Sequence, residues 1–252
     1  MTHHATQFDL PPQLFTWLKE ACKEAKEKSE KANSDLVGHI KEEYYITSFP
    51  KNFVNFLSQC AFSESLNKYL AKVSCLSEDR PLYLYNLWVN YMKKHEFNPP
   101  HNHSGVMSFI VFVKIPYDLK EEEKQFPMDN KKKQIVHTSK VAFLNTLSDG
   151  SIGMEIINVD KSFEGKILMF PSAQIHQVFP FYTSDDYRIT VSGNLRFKVG
   201  TTPIRRKKNN WGGPRKRSKT IKRIQDKWCR DNGYPIIARR RYPHYRQYEN
   251  KN

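Results

Sequence analysis

The apolar positions of the first 80 residues follow a helical spacing. From Pro12 to about Asn33 they recur three or four residues apart and form one face, made of Leu14, Trp17, Leu18, Cys22 and Ala25. The segment 51–73 repeats this spacing after a Ser-Phe-Pro sequence that is typical of a helix start. The sequence therefore predicts two helices, each with one face that needs a core to pack against.

From residue 81 the pattern changes to short runs of aromatic and β-branched residues separated by turn-forming residues. The segment 97–105 reads as a turn and 121–133 as a charged loop. Strands and helices do not alternate, so the pattern favours an antiparallel sandwich or barrel over a parallel sheet. The predicted strands are 82–92, 107–116, 134–144, 151–159, 165–171, 176–182 and 186–197.

The positive charge of the chain is confined to its C-terminal end. Residues 198–252 hold 18 Lys and Arg against 3 Asp and Glu, which leaves 23 of each class in residues 1–197. The β pattern also stops after Phe197. We therefore expect three parts: a helical region 1–80 packed on the core, a β core 81–197 and a basic extension 198–252. Such an asymmetry favours a polyanionic partner for the extension, such as nucleic acid or a ribonucleoprotein.

The remaining composition is that of a protein of a reducing compartment. The four cysteines are widely spaced and read as free thiols, and no apolar run is long enough to span a bilayer. The first residues carry no secretion signal pattern. We therefore predict a cytoplasmic location with no membrane contact, whereas the oligomeric state stays open.

Histidines give the sharpest chemical signal. His101 and His103 are two residues apart at the entrance to a strand, so their rings project from one face of an extended backbone. His176 opens another β-rich segment, and Arg188 follows twelve residues later on a predicted neighbouring antiparallel strand. A hairpin of this length would bring Arg188 to the cavity of His176. Because an HxH pair alone is weak evidence of a metal site, the prediction rests on all four residues.

Three segments that contain these residues resemble the Fe(II)/2-oxoglutarate-dependent oxygenases, in a prolyl-hydroxylase-like branch common in bacterial and bacteriophage genomes. They are 87–116, 165–180 and 187–197, and the segment 34–46 is similar to the part that precedes the core in that branch. The resemblance implies a mainly β fold, a double-stranded β-helix of the jelly-roll or cupin type. It also implies Fe(II), 2-oxoglutarate and O₂ as cofactors. If phage-encoded, the protein would act in the cytoplasm of a bacterial host.

The resemblance also assigns roles to individual residues. His101 and His176 would be metal ligands, and Arg188 would bind the distal carboxylate of 2-oxoglutarate as a bidentate fork. Thr190 would add a hydroxyl contact, and Asn90 would line the cofactor cavity. No further catalytic residue is predicted. Arg188 as a structural ion-pair partner is the alternative interpretation.

The proximal metal motif departs from the usual His-x-carboxylate pattern, because its third position is His103. We predict His101, His103 and His176 as the ligands, with Glu96 and Asp185 as the nearest carboxylate substitutes. A neutral set of three histidines resembles that of thiol dioxygenases. The alternatives to a 2-oxoglutarate oxygenase are therefore such an enzyme, or a non-catalytic metal-binding, virion-associated or nucleic-acid-associated protein on the same fold. The substrate, a protein or a nucleic acid, is not identified.

Overall fold

The computed structural model describes residues 5–63, 66, 82–126 and 137–197. The end of the second predicted helix, Cys75 and Cys229, and the whole basic extension lie outside the described residues. Within them, Cys22 and Cys60 are buried free thiols, as predicted.

The described residues form three α-helices and ten strands. The helices are α1 (Pro12–Lys28), α2 (Lys51–Ala61) and α3 (Leu119–Lys124). The strands are β1 (Thr6–Asp9), β2 (Glu43–Tyr45), β3 (Leu82–Met92), β4 (Asn98–His101), β5 (Met107–Lys114), β6 (Val141–Thr146), β7 (Ile152–Ile157), β8 (Lys166–Pro171), β9 (His176–Val178) and β10 (Arg188–Phe197). Two 3₁₀ turns, Asn33–Asp35 and Lys161–Phe163, complete the set.

The strands form two sheets in which every strand pair is antiparallel. The large sheet has the order β1-β8-β5-β10-β3-β2, and the small sheet has the order β4-β9-β6-β7. From β3 to β10 the chain passes back and forth between the two sheets, with β6 and β7 as the one pair that stays in the same sheet. This is the double-stranded β-helix, so the predicted mainly β fold is confirmed.

The two faces of the large sheet have different neighbours because side chains alternate along each strand. On β3, Leu87, Val89 and Tyr91 belong to the cluster formed with the apolar faces of α1 and α2. The intervening Trp88 and Asn90 point toward the small sheet and line a cavity. A second apolar cluster, which includes Phe112, Phe143, Phe170 and Phe181, fills the rest of the space between the sheets.

Several predicted boundaries were wrong. The first helix ends at Lys28 instead of Asn33, and residues 137–140 form a turn ahead of β6. The N-terminal region is not purely helical, since β1 and β2 are edge strands of the large sheet. The proline-rich segment 97–105 was read as a turn, yet it contains β4, and the charged loop contains part of α3. The strands β1, β2 and β4 were missed because they are short and show little apolar alternation.

The predicted hairpin between His176 and Arg188 was also wrong. His176 lies on β9 of the small sheet, whereas Arg188 begins β10 of the large sheet. Both residues line the same cavity between the sheets. In the parts of the chain that the structure describes, no helix has the length and apolar character needed to cross a membrane.

Candidate active site

A cavity of about 250 Å³ opens between the two sheets. Its large-sheet wall is formed by every second residue of two neighbouring strands: Asn86, Trp88, Asn90 and Met92 from β3, and Arg188, Thr190, Ser192 and Asn194 from β10. The opposite wall carries the histidines of β4 and β9. Segment 35–40, which precedes β2, supplies a third wall. Polar side chains therefore dominate a space enclosed by an apolar core.

All three predicted histidines meet in this cavity. One ring nitrogen from each of His101, His103 and His176 lies within 4.8 Å of those of the other two. His101 and His176 are directly paired between β4 and β9, while His103 lies just beyond β4. Imidazole nitrogens that share one ion at about 2.1 Å are at most about 4.2 Å apart. Small side-chain rotations would therefore allow the three rings to share one ion.

Backbone carbonyls fix the orientation of two of the rings. Nδ1 of His101 lies 2.7 Å from the Pro99 carbonyl oxygen, and Nδ1 of His176 lies 3.1 Å from that of Gln174. A proton on each Nδ1 donates to these carbonyls and leaves Nε2 as the free lone pair, as in many metal sites. The third histidine, His103, is held through its backbone, because its N–H donates to the carbonyl oxygen of Ser172 across 2.9 Å.

Burial keeps the three imidazoles neutral. It lowers the pKa of His176 to about 3 and that of His103 to about 4, with repulsion from His101 as the second cause for both. Burial also lowers the pKa of His101, opposed by its bond to Pro99. Neutral imidazole is the form that binds metals. The site is therefore prepared for a cation at neutral pH.

Arg188 is 1% exposed and reaches the same cavity from the large sheet. Its Nη1 donates to the carbonyl oxygen of Ser139 across 3.1 Å, while its Nε is buried without a hydrogen-bond partner. Among the described residues no carboxylate forms an ion pair with it, which removes the alternative of a structural salt bridge there. A buried guanidinium with an unmatched donor fits an anionic ligand.

Sequence reasoning missed the residues that hold Arg188. Tyr117 also donates to the Ser139 carbonyl, across 3.0 Å, and the Ser139 N–H donates to Pro180 across 2.8 Å. Ser139 has a φ of 62°, in the left-handed region. Only the structure reveals such a carbonyl, because a backbone acceptor leaves no signature in residue type.

Thr190 and Asn90 lie side by side on β10 and β3, and both line the cavity. The Asn90 Nδ2 donates to Thr190 Oγ1 across 3.2 Å. Its Oδ1 is buried and has no hydrogen-bond partner. The pair therefore presents one unmatched acceptor to the cavity.

Glu43, on β2, is a second cavity residue that sequence reasoning missed. It is 1% exposed, and it accepts a hydrogen bond from Asn33 Nδ2 across 3.1 Å. Its backbone is paired with that of Asn90 on β3, and both residues line the cavity. An acidic residue beside the aromatic pair Tyr44–Tyr45 is the one available signal, and it is not specific.

The two carboxylates considered as substitute ligands do not reach the histidines. Glu96 accepts the backbone N–H groups of Lys41 and Lys93, and Asp185 pairs with Lys94 at the surface. The cluster that could hold a metal, within the described residues, is the three histidines alone.

Comparison with known proteins gives one family match. Residues 86–194 match the family model described as "Putative 2OG-Fe(II) oxygenase". No curated protein sequence matches the chain.

Solved structures show similarity as well. A prolyl-4-hydroxylase of Pseudomonas putida aligns with a TM-score of 0.48 at 14% identity, over 78% of this chain and 94% of that one. A prolyl hydroxylase of Trichoplax adhaerens, in complex with a hypoxia-inducible-factor peptide, gives 0.46 at 11% identity over 78% and 84%. A 2OG-Fe(II) oxygenase family oxidoreductase of Burkholderia pseudomallei gives 0.46 at 7% identity over 77% and 85%.

The matched segment 86–194 contains all the histidines of the cluster and Arg188. Over this segment, the chain is similar to the 2-oxoglutarate- and Fe(II)-dependent oxygenases.

Proposed function

We propose that the chain binds Fe(II) through His101, His103 and His176 and uses 2-oxoglutarate and O₂ to hydroxylate or otherwise oxidise a substrate. The observation that carries this proposal is the cavity itself, because three neutral imidazoles and a buried guanidinium with an unmatched donor face one space. A cation and a dianion together satisfy both groups.

Each side chain has a separate task in this proposal. The histidines hold the ion, whose chemistry when bound is oxidation by O₂ coupled to decarboxylation of 2-oxoglutarate. Arg188 orients the distal carboxylate of 2-oxoglutarate, with its guanidinium held by the Ser139 carbonyl. Thr190 donates its hydroxyl to the same carboxylate. Asn90 contributes by holding Thr190 through Nδ2, since a carboxylate has no proton for the Asn90 Oδ1.

Succinate formation without added substrate tests the proposal. We expect the wild-type chain, incubated with Fe(II), 2-oxoglutarate and O₂, to release succinate slowly. His176→Ala should abolish both this release and Fe(II) binding measured anaerobically by calorimetry. His95→Ala is the matched control, because this exposed histidine packs on Tyr182 outside the cavity. Wild-type protein that binds no Fe(II) and forms no succinate would overturn the proposal.

A thiol dioxygenase is the second candidate, and the absence of a carboxylate from the described histidine cluster favours it. Such an enzyme would consume O₂ with a small thiol in the presence of iron but without 2-oxoglutarate. Oxygen uptake with cysteine, measured with and without 2-oxoglutarate, separates the two reactions. Uptake that requires 2-oxoglutarate supports the first.

For the basic extension 198–252 we propose a polyanionic partner that brings the oxygenase to nucleic acid or a ribonucleoprotein. Support comes from its charge, 18 basic against 3 acidic residues, interleaved with aromatic residues such as Trp211 and Tyr242. Binding of labelled single-stranded RNA and DNA should be lost when the extension is removed, with a salt dependence typical of phosphate contacts.

A further inference from the structure

A row of polar side chains crosses the cavity face of the large sheet. Glu43 on β2 is paired with Asn90 on β3, which is paired with Thr190 on β10. Directly paired residues point to the same face of a sheet, and neighbouring strands lie about 4.8 Å apart. Glu43 is therefore about 10 Å from Thr190 across the sheet, so a group bound at Glu43 would lie beside the ligand that the proposed function assigns to Arg188 and Thr190.

Glu43 has little compensation for its burial. The structure gives its carboxyl group one side-chain donor, Asn33 Nδ2, which is shared with the carbonyl oxygen of Ile40. Within the described ranges, no lysine, arginine or histidine forms an ion pair with it. A buried carboxyl group with no countercharge costs several kcal/mol if it stays ionised. In proteins, a buried carboxylate is normally paired with a cationic group or coordinates a metal ion.

Asn90 gives a second, independent observation at the same place. It is 4% exposed, and its Oδ1 is the unpartnered acceptor in the cavity wall. Buried amide oxygens are nearly always hydrogen-bonded, so an unmatched one indicates a ligand with a donor. 2-Oxoglutarate carries two carboxylates and a ketone and has no such donor at neutral pH.

The adjoining segment brings the chain close to Glu43. Gly38 lines the cavity, and a Cβ at this position would lie 3.0 Å from Glu43 Oε1 and even closer to Asn98 Oδ1. The His39 N–H donates to the Phe97 carbonyl oxygen across 2.9 Å and ties this segment to the strand that precedes the histidines. Glu43 thus lies in an enclosed position rather than at an open edge.

We propose that Glu43 and Asn90 bind a cationic nitrogen group of the substrate, an ammonium or guanidinium like that of a lysine or arginine side chain. This inference rests on the proposed function, because it assigns the substrate to the same cavity. The carboxylate pairs with the charge, and the Asn90 Oδ1 accepts one of the several protons that such a group offers. Arg188 stays with the cofactor, two residues from Thr190 on β10.

The protonation of Glu43 agrees with this assignment. Burial raises its pKa to about 7, and repulsion from Glu96 adds to the rise. Asp35 is the other acidic residue that lines the cavity, and Tyr45 donates a hydrogen bond to it. A bound cation would shift Glu43 toward its ionised form, so binding should strengthen as pH rises from 6 to 8.

Calorimetry with matched probes on the full-length chain tests this inference. Nα-acetyl-lysine methylamide and Nα-acetyl-arginine methylamide carry the charge, whereas Nα-acetyl-norleucine methylamide has a side chain of similar length without it. We expect at least one cationic probe to bind about tenfold or more tightly than the norleucine probe, as a charge-assisted hydrogen bond implies. Butylammonium, run alongside, distinguishes a free amine from a side chain within a peptide. Equal affinity for charged and uncharged probes would overturn the inference.

Two variants locate the site. Glu43→Gln keeps the size of the side chain and its acceptor for Asn33 but removes the charge, so the preference for the cation should disappear. Glu42→Gln makes the same change one residue away, where the carboxylate contacts Lys26 and Tyr187 outside the cavity, and the preference should remain. A preference that survives in Glu43→Gln would also overturn the inference.

The outcomes are separable from those of the proposed function. Probe binding is measured without O₂ and needs no turnover, whereas the proposed function is tested by Fe(II) binding and succinate release from the wild type. Succinate release without any cation preference refutes the inference alone. If Glu43→Gln failed to fold, the wild-type comparison of the lysine and norleucine probes would still decide, because it needs no variant.

Discussion

The two walls of the cavity have different chemistry although the same chain builds both. The small sheet and the loop beyond it present three imidazoles that burial keeps neutral. The large sheet presents two groups that carry or can carry charge: Glu43, paired with Asn90, and Arg188, two residues from Thr190 on β10. The cavity therefore has a wall suited to a metal and a wall suited to organic ions.

This difference follows from how each wall is supported. Two of the three imidazoles are oriented by backbone carbonyls two residues away, so strand ends suffice to place them. Arg188 depends on a carbonyl of residue 139, and Glu43 depends on Asn33, both distant in the sequence. Variants on one wall should therefore leave the ligand of the other wall largely unaffected.

The largest expected effect is the loss of the metal in His176→Ala. This residue is the most buried of the three, and its removal leaves two ligands and a small apolar gap. We expect the Fe(II) or Mn(II) affinity to fall at least 100-fold, beyond the loss typical of outer-sphere residues. Anaerobic calorimetry measures the change, and 2-oxoglutarate should still bind weakly through Arg188. Metal affinity close to that of the wild type would remove His176 from the ligand set.

The free energy of unfolding of Glu43→Gln, relative to that of the wild type, should change with pH by up to about 3 kcal/mol. Burial raises the pKa of Glu43 to about 7 in the folded chain, above its unfolded value. The folded state therefore holds the proton more tightly, and wild-type stability is lost as pH rises from about 4.5 to 7. The variant lacks this loss, so its stability relative to the wild type should increase between pH 4 and pH 8.

Glu42→Gln provides a control of opposite sign for that experiment. Hydrogen bonds from Lys26 and Tyr187 lower the pKa of Glu42, so the ionised group stabilises the fold above its unfolded pKa. Removing it should lower the relative stability at high pH. Urea unfolding at several pH values measures the stability of both variants relative to the wild type. If this relative stability changed with pH in the same direction for both variants, the assigned environment of Glu43 would be contradicted.

Arg188→Lys should weaken 2-oxoglutarate binding about 30-fold, or about 2 kcal/mol, because the fork of parallel donors is lost while the charge stays. The metal affinity should change by less than threefold. Calorimetry on the Mn(II)-loaded chain measures both. A large loss of metal affinity would show that the two walls are coupled and would refute the division of tasks.

Parts of this picture could be predicted from the sequence because they leave a local pattern. The helical face of α1 and the strands β3, β5 and β10 are long and strongly periodic, and their positions were predicted to within a few residues. All three histidines and Arg188 were also selected, because their residue types and spacing match a family pattern. The predicted convergence of these residues was right, although the predicted hairpin was not.

The rest depends on contacts between distant segments. The three-residue strand β2 carries Glu43 into the cavity only because it pairs with β3, and three residues are too few to show alternation. The proline-rich β4 was taken for a turn because proline lacks the N–H that a central strand needs. The Ser139 carbonyl is part of the backbone and has no residue signature at all.

The smallest expected effect concerns that carbonyl. Tyr117→Phe removes one of its two side-chain donors but keeps the ring, which packs on Phe181 at a centroid distance of 5.2 Å. Because Arg188 still donates to the carbonyl, no buried acceptor is left unmatched, and unfolding should become easier by about 1 kcal/mol. The 2-oxoglutarate affinity should fall less than threefold, by calorimetry on the Mn(II)-loaded chain. A tenfold fall would instead mean that the Tyr117 hydroxyl contacts 2-oxoglutarate itself, and the large-sheet wall would then share its cofactor site with the segment that follows β5.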